Sequence, residues 1–305
     1  MKILVTGGAG FLGKNIAKYF SSHGHEVHGC GRGQLTESQK DEIGFSSWLS
    51  GSLNKHLLDQ LHFLPDIVIH CAGGGSVDRS LVDPRSDYVD TVESTQIVLE
   101  YLRLQAPLAK FIYPSSPAVV GSFSNQPIAI STHPSPISAY GHDKLIAESI
   151  CETYRHNYRM DIYIIRLFSV YGVGLKKQLL WDACNKFKKE NPVQFWGDGN
   201  ETRDFIHIEE VARLLYLVAN NSNDKHLPYK MNCGSGQTHT VRDVIGLLKR
   251  HFENTPNVTF NNYIRPGHPR HYWSDNSQAY EYGWKPKSNL ESGLIEYANW
   301  FKTSK

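Results

Sequence analysis

Short apolar runs alternate with helix-length amphipathic stretches over the first half of the chain. The runs are KILVTG, EVHGC, DIVIHCA, KFIYPSS and DIYIIRLF. Helical stretches separate them, notably at 11–21, at 89–102 and around Tyr140. Runs of this length between helices are typical of buried strands joined by right-handed crossovers. The pattern therefore predicts an α/β fold built on a doubly wound parallel sheet.

This alternation ends after Gly174, where the stretches WGDGNETRD and NCGSGQTH separate shorter elements. An amphipathic helix is predicted over IEEVARLLYLVA, and a final helix over 290–305. A second, smaller α/β lobe at the C-terminal end is therefore expected to bind substrate. We place the main domain at 1–170 plus part of 203–232, and the smaller lobe at 171–202 and 233–305.

The composition excludes several classes of partner. The 305 residues carry 32 Lys and Arg against 30 Asp and Glu, interspersed, so neither nucleic acid nor a membrane surface is an expected partner. The five cysteines are scattered and form no Cys-x-x-Cys pair, which argues against disulfides and a zinc site. No signal peptide or run of membrane-spanning length is evident. We expect a cytoplasmic protein that holds no metal and binds a small molecule.

The stretch VTGGAGFLG places three glycines after the first predicted strand and at the start of the first helix. Glycines there allow a tight turn and let backbone N–H groups and the positive end of the helix dipole approach a pyrophosphate. This position inside a βαβ unit favours a Rossmann-type dinucleotide site over a plain glycine turn. The candidate cofactor-binding residues are Gly7, Gly10, Phe11, Leu12 and Gly13.

The end of the second strand bears on the choice of cofactor. An acid there binds the ribose hydroxyls of NAD, whereas an arginine accommodates the 2′-phosphate of NADP. This chain has Gly31 and Arg32 at that point and no acid. The forked guanidinium of Arg32 suits a phosphate, and an ordinary solvated arginine is the alternative. NADP(H) is therefore favoured, with NAD(H) as the alternative.

Tyr140 precedes Lys144 by four residues in AYGHDK, so on a helix the two side chains share a face. We expect the Lys144 ammonium to lower the pKa of Tyr140 until the phenol exchanges protons near neutral pH. Ser116 follows the strand KFIYPSS at the carboxyl edge of the sheet, where a hydroxyl can hold the same substrate oxygen. These three are the candidate catalytic residues. The alternatives are a turn serine before Pro117 and a surface Tyr/Lys pair.

These motifs belong to an ordered series that runs through the chain. Besides TGGAGFLG and AYGHDK, the series includes DIVIHCAG, FIYPSSPAVVG, RLFSVYGVG, GDGNETRDFIHIEEVA and RPGHPRHYWSD. The chain thereby resembles the extended short-chain dehydrogenase/reductase superfamily, in its nucleotide-sugar epimerase, dehydratase and reductase branch. The resemblance implies an NAD(P)-dependent enzyme, often a homodimer, that acts on a nucleotide-diphosphate sugar for polysaccharide biosynthesis.

The resemblance also implies roles for individual residues near the cofactor. Ser116, Tyr140 and Lys144 would form the catalytic triad. The first of them would also contact the substrate, and the other two the cofactor. Ala72 and Gly73 would line the dinucleotide.

Further along the chain, the resemblance assigns residues to the two ends of the ligands. Phe168 would lie at the nicotinamide end of the cofactor, and Ser169 beside the substrate. Arg203 and Arg265 would grip the substrate diphosphate, with a structural salt bridge as the alternative. The lysine pair 176–177 is expected to be solvated rather than to bind the sugar nucleotide.

Departures from the family pattern narrow the expected reaction. The 4,6-dehydratases usually have acids after the triad serine or threonine, where this chain has Pro117 and Ala118, and the fucose-synthase type has a cysteine in place of Ala118. NAD-retaining 4-epimerases usually have acids at Gly31 and near Ser52 and an asparagine at Ser169. We therefore expect NADPH-dependent reduction of a nucleotide-linked 4-keto(-6-deoxy) sugar at carbon 4. The alternatives are an NAD-dependent 4-epimerase of the UDP-hexose type and, more distantly, a non-catalytic dinucleotide-binding sensor.

Overall fold

The structure, a computed structural model, describes residues 1–121, 126–189, 191–221, 227–252 and 257–304. Its centre is a seven-stranded sheet in which every neighbouring pair is parallel. The strands are β1 Lys2–Thr6, β2 Glu26–Gly31, β3 Ser47–Ser50, β4 Ile67–His70, β5 Lys110–Ser115, β6 Ile162–Leu167 and β11 Lys230–Cys233. In space they run in the order β11, β6, β5, β4, β1, β2, β3. This confirms the predicted α/β fold with a parallel sheet.

Helices follow most strands. The described α-helices are α1 Phe11–Ser22, α2 Glu37–Ile43, α3 Lys55–Leu58, α4 Val77–Val82, α5 Pro84–Tyr88, α6 Ser94–Gln105, α7 Ala139–Tyr158, α8 Gln178–Lys189, α9 Ile208–Asn220, α10 Val241–Lys249, α11 Ser277–Tyr280 and α12 Leu290–Thr303. A π-helical turn, Val89–Glu93, leads into α6, so the helix predicted over 89–102 begins irregularly. A short 3₁₀ turn, Pro117–Val119, follows β5.

Both faces of the sheet are covered by helices, as β1 illustrates. Successive strand residues face opposite sides of a sheet. Ile3 and Val5 pack in one core with α1 and α9, whereas Leu4 packs in another with α6 and α7. Because both faces are buried, strands β4, β5 and β6 are buried along their whole length, which explains their unbroken apolar runs.

The sequence pattern did not predict β3. Its four residues, SWLS, are all half-buried, and the strand lies at the outer edge of the sheet beside β2. A short edge strand with polar ends has neither a continuous apolar run nor a long alternation. Only its pairing with β2 identifies it.

A further hydrophobic core lies among α8, α10 and α12. Around it are three two-stranded sheets: β7 Ser169–Tyr171 with β10 Phe205–His207, β8 Val193–Phe195 with β13 Val258–Phe260, and β9 Thr202–Arg203 with β12 His239–Thr240. Phe11, at the start of α1, packs against this core as well as against the core that contains Ile3. The helix predicted over 290–305 is α12.

The parallel sheet brings the predicted site residues to one edge. The carboxyl ends of parallel strands meet on the same side of a sheet. The loops that leave β1, β4, β5 and β6 there contain Gly7, Ala72, Ser116 and Phe168. Cofactor and catalytic candidates therefore face a common cleft.

Candidate active site

The glycine loop after β1 packs against the loop after β4. Gly7 has a φ of +65°, and a Cβ at this position would lie 2.6 Å from the backbone nitrogen of Ala72. A Cβ at Gly13 would lie 2.5 Å from the Gly7 carbonyl oxygen, so α1 rests directly on the loop. Gly10 is the N-cap of α1 and provides no side-chain hydrogen bond. The first-turn N–H groups of α1 are thus left to an anion, which suits a dinucleotide pyrophosphate.

Phe11 and Leu12 form the first turn of α1 and are half-buried. The loop after β4 runs from the glycine loop towards the catalytic candidates. Gly73 has a φ of +150°, and a Cβ there would lie 3.7 Å from the Nζ of Lys144. The residues present therefore fit a dinucleotide that extends from the start of α1 to Lys144.

Arg32 lies beyond β2 with its side chain 62% exposed, and its guanidinium pairs with Asp90 at 2.9 Å. Arg79 contacts the same carboxylate oxygen at 3.0 Å. A 2′-phosphate would have to compete with Asp90 for Arg32. The sequence did not reveal this ion pair. The role of Arg32 in phosphate binding stays a prediction.

Two serine caps position the catalytic candidates. Ser116 begins the 3₁₀ turn after β5, and its hydroxyl accepts the N–H of Ala118 at 3.2 Å. Ser138 begins α7 by accepting a backbone N–H of the first turn at 3.1 Å. Because α7 starts there, Tyr140 lies in its first turn and Lys144 one turn later. The ammonium of Lys144 is 6.0 Å from the centre of the Tyr140 ring.

Burial controls the protonation of this group. It raises the pKa of Tyr140 to about 12, while a hydrogen bond with the Ser116 hydroxyl acts in the opposite direction. Burial also lowers the pKa of Lys144 to about 8. The Lys144 ammonium donates to the Pro114 carbonyl at 3.1 Å. The expected lowering of the Tyr140 pKa is therefore wrong for this structure, because removal of water outweighs the hydrogen bond with Ser116. Near neutral pH the phenol keeps its proton.

A buried ion pair holds α7 against the sheet. Arg166, in β6, donates to Glu148, in α7, through Nε at 2.9 Å and Nη2 at 2.8 Å. The Ser115 hydroxyl donates to the same carboxylate at 2.6 Å, directly before Ser116. The sequence analysis missed this pair. The signal was a charged residue inside the apolar run DIYIIRLF, which requires a buried partner.

Across the cleft, Phe168 packs edge-on against Tyr272, with ring centres 6.3 Å apart. The N–H of Ser169 donates to the Asp204 carbonyl at 2.9 Å. The Arg203 guanidinium lies 6.0 Å from the centre of the Tyr272 ring, and it donates to two backbone carbonyls at 2.7 and 3.1 Å. Burial lowers its pKa. With no ion-pair partner in the described chain, Arg203 is suited to an anionic ligand.

The side chain of Asp204 anchors the loops around Arg203. It is fully buried, and it accepts the N–H groups of Gly236 at 3.1 Å and of Ser274 at 2.9 Å. It also accepts the hydroxyls of Ser235 and Ser274, both at 2.7 Å. Sequence reasoning missed this role, since nothing in the motif separates a structural acid from a ligand.

Arg265 has the partner that Arg203 lacks. It pairs with Asp78 of α4 at 2.6 Å, and His268 contacts the same carboxylate oxygen at 3.0 Å. Burial lowers the pKa of His268, and the charges of both arginines act in the same direction. Both guanidinium groups are therefore near His268. The structural salt bridge, the alternative for both arginines, is present for Arg265.

Both residues of the lysine pair 176–177 are exposed. Lys176 lies 6.0 Å from the centre of the Trp181 ring. Lys177 instead reaches the loop after β4, where it donates to the Gly75 carbonyl at 3.2 Å. Loss of water around the ammonium and the charge of Arg79 lower its pKa. Lys177 is nevertheless exposed, as expected from the sequence.

Fold and site together define a dinucleotide-dependent enzyme, and the family follows from direct comparison. Residues 3–234 match the model of the NAD dependent epimerase/dehydratase family, so the chain belongs to this family.

Relatives along the whole chain carry several activities. A putative UDP-glucose 4-epimerase of Methanocaldococcus jannaschii is 28% identical, covering 99% of both chains. A probable dTDP-glucose 4,6-dehydratase of Sinorhizobium fredii is 26% identical, covering 99% of this chain and 93% of the relative. The crystal structure of a Bacillus cereus UDP-glucuronic acid 4-epimerase, in complex with UDP-glucuronic acid and NAD, superimposes with a TM-score of 0.86 at 27% identity and covers 99% of both chains.

Among the residues with described positions, no three or more His, Cys, Asp or Glu side chains are arranged to hold a metal ion. None of the helices within the described ranges is long and apolar enough to cross a bilayer.

Proposed function

We propose that this protein is an NAD-dependent nucleotide-sugar 4-epimerase whose substrate is a UDP-sugar. The observation that carries the proposal is the grouping of Ser116, Tyr140 and Lys144 beside the glycine loop, together with the half-buried Arg203. Similarity to 4-epimerases over 99% of the chain supports epimerisation better than the reduction expected from the sequence. The neighbour that binds NAD likewise favours NAD, and the expected preference for NADP(H) finds no support there.

The side chains divide the reaction between binding and proton transfer. Arg203 and Arg265 hold the substrate diphosphate from one side of the cleft. Ser116 hydrogen-bonds the oxygen on carbon 4, and Tyr140 takes the proton of that oxygen as carbon 4 is oxidised. Tyr140 returns the proton after the keto sugar has rotated in the site. Bound NAD supplies the hydride acceptor, and its positive ring favours the phenolate that burial opposes.

Reduction of a 4-keto sugar remains the second candidate. The residues at the end of β2, Gly31 and Arg32, favour it because they lack the acid that usually binds the NAD ribose. In a reductase, NADPH binds and leaves in each cycle. In an epimerase, NAD is regenerated and can stay bound.

The nucleotide carried by the purified protein distinguishes the two. We expect denaturation to release NAD, identified by mass spectrometry. The protein should then convert UDP-glucose, UDP-glucuronate or UDP-N-acetylglucosamine to its C4 epimer without added cofactor, as read by proton NMR. Tyr140→Phe should keep the bound NAD and lose turnover. An empty protein that consumes NADPH with a 4-keto sugar would instead identify a reductase.

A protein that binds NAD but turns over no sugar of a wide panel would be the sensor. We also retain two properties implied by the resemblance, a homodimer and a place in polysaccharide biosynthesis. Sedimentation velocity of the purified protein would test the first. Loss of a surface polysaccharide on deletion of the gene would test the second.

A further inference from the structure

Asp87 and Asp143 form a buried pair of carboxyl groups beside the catalytic candidates. Asp87, in α5, is fully buried, and Asp143, in α7, is 7% exposed. The carboxyl group of Asp87 occupies the space in which a side chain at Gly74 would begin, so the glycine makes room for it. Neither oxygen of Asp87, nor Oδ2 of Asp143, has a hydrogen-bond donor among the residues that the structure describes.

Two facing carboxyl groups hydrogen-bond only when a proton lies between them. Burial, followed by the hydrogen bond and charge of Asp143, raises the pKa of Asp87 to about 6. Burial raises the pKa of Asp143 as well. Two ionised carboxylates in contact would repel each other strongly in this dry environment. Below about pH 6, the pKa of Asp87, the pair therefore carries one proton and one negative charge, and at higher pH both carboxylates are ionised.

Charged groups on two neighbouring helices face the pair. From α7, Lys144 and Tyr140 both experience the charge of Asp87, and His142 acts on the second carboxyl group. From α4, Arg79 attracts Asp87. Burial lowers the pKa of Lys144, and the negative charge of Asp87 is the largest influence in the opposite direction.

We propose that Asp87 and Asp143 share one proton in mildly acidic solution and that the charge of Asp87 near neutral pH holds Lys144 protonated beside Tyr140. Both are positioning residues, because Asp87 has no surface in the cleft. Asp87 exerts the larger effect, since its charge acts on both Lys144 and Tyr140. The inference rests on the proposed function only for the roles of Lys144 and Tyr140.

Infrared difference spectroscopy of the purified holoenzyme tests the shared proton. At about pH 5 we expect the carbonyl band of a protonated carboxylic acid, and we expect the band to be lost as the pH rises above about 6. The band should disappear in Asp87→Asn and in Asp143→Asn, because each variant leaves one carboxylate that accepts from an amide. No substrate is involved, so the result stands even if no UDP-sugar is turned over. Absence of the band, or its persistence in both variants, overturns the proposal.

The pH dependence of turnover tests the action on Lys144. In Asp87→Asn, the basic limb of the rate profile should move about one unit lower in pH, because Lys144 loses the opposite charge that acts on it most strongly. In Asp143→Asn, the matched control, it should stay within about 0.3 units, since Asp87 keeps its charge. An unshifted limb in Asp87→Asn overturns the proposal. If that variant does not fold, the band in Asp143→Asn alone decides.

Discussion

Replacing Arg166 by Met should destabilise the protein far more than the same change at Arg103. Each arginine makes a two-point contact with a glutamate: 2.9 and 2.8 Å for Arg166 with Glu148, and 2.8 and 2.7 Å for Arg103 with Glu100. The pairs differ in exposure. Both side chains of the first pair are 1% exposed, whereas those of the second are 33% and 43% exposed.

The expected magnitude follows from what would remain around Glu148. Removing one partner of a buried ion pair costs about 3–5 kcal/mol, because the other charge stays buried. Here Lys230 still contacts Glu148 at 2.8 Å and Ser115 still donates to it at 2.6 Å, so about 3 kcal/mol applies. With an unfolding entropy of roughly 2.1 cal/mol/K per residue, this lowers the melting temperature by about 5 °C.

Thermal unfolding followed by circular dichroism measures the difference. Arg166→Met should melt about 5 °C below the wild type, and Arg103→Met should melt close to it. Arg166→Met combined with Glu148→Gln should recover part of the loss, because no unpaired charge is then buried. Equal melting temperatures for the two single variants would show that burial does not determine the value of this contact.

Three further predictions concern ligands. Arg203→Ala should raise the KM for a UDP-sugar roughly 10- to 100-fold with bound NAD unchanged, since a hydrogen bond to a charged group contributes about 1.5–3 kcal/mol. The control is Arg270→Ala, at an exposed arginine paired with Asp198. Equal KM values for the two variants would contradict the role of Arg203 in holding the substrate diphosphate. Gly7→Ala should purify without NAD, because its Cβ would lie 2.6 Å from a backbone nitrogen, whereas Gly24→Ala, at a similar φ of +81° with nothing within 4 Å, should retain it. Turnover should fall as pH rises through about 8, the pKa of Lys144, because the ammonium is lost. A turnover rate that stays the same from about pH 7 to about 9.5 would exclude that ammonium from the reaction.

Local patterns in the sequence predicted much of the fold. Strands β1, β4, β5 and β6 are buried on both faces, and their apolar runs predict them. Strand β3 has no such run, because it lies at the sheet edge. The helix over 89–102 was predicted, but its π-helical start was not, since hydrophobic period is insensitive to one irregular turn.

The candidate site was predictable where chemistry lies in short motifs. Tyr140 and Lys144 are four residues apart, and a helix brings them together whatever surrounds it. Asp87 and Asp143 are distant in sequence, and only the packing of α5 on α7 joins them. The raised pKa of Tyr140 depends on burial, and the partner of Arg32 on a loop position. Neither can be read from a motif.

The ring of Phe11 joins the two halves of the molecule. It stands where the coenzyme should first meet α1, and its other neighbours belong to the core around α8, α10 and α12. A smaller side chain at Phe11 would therefore leave a gap against both cores at once.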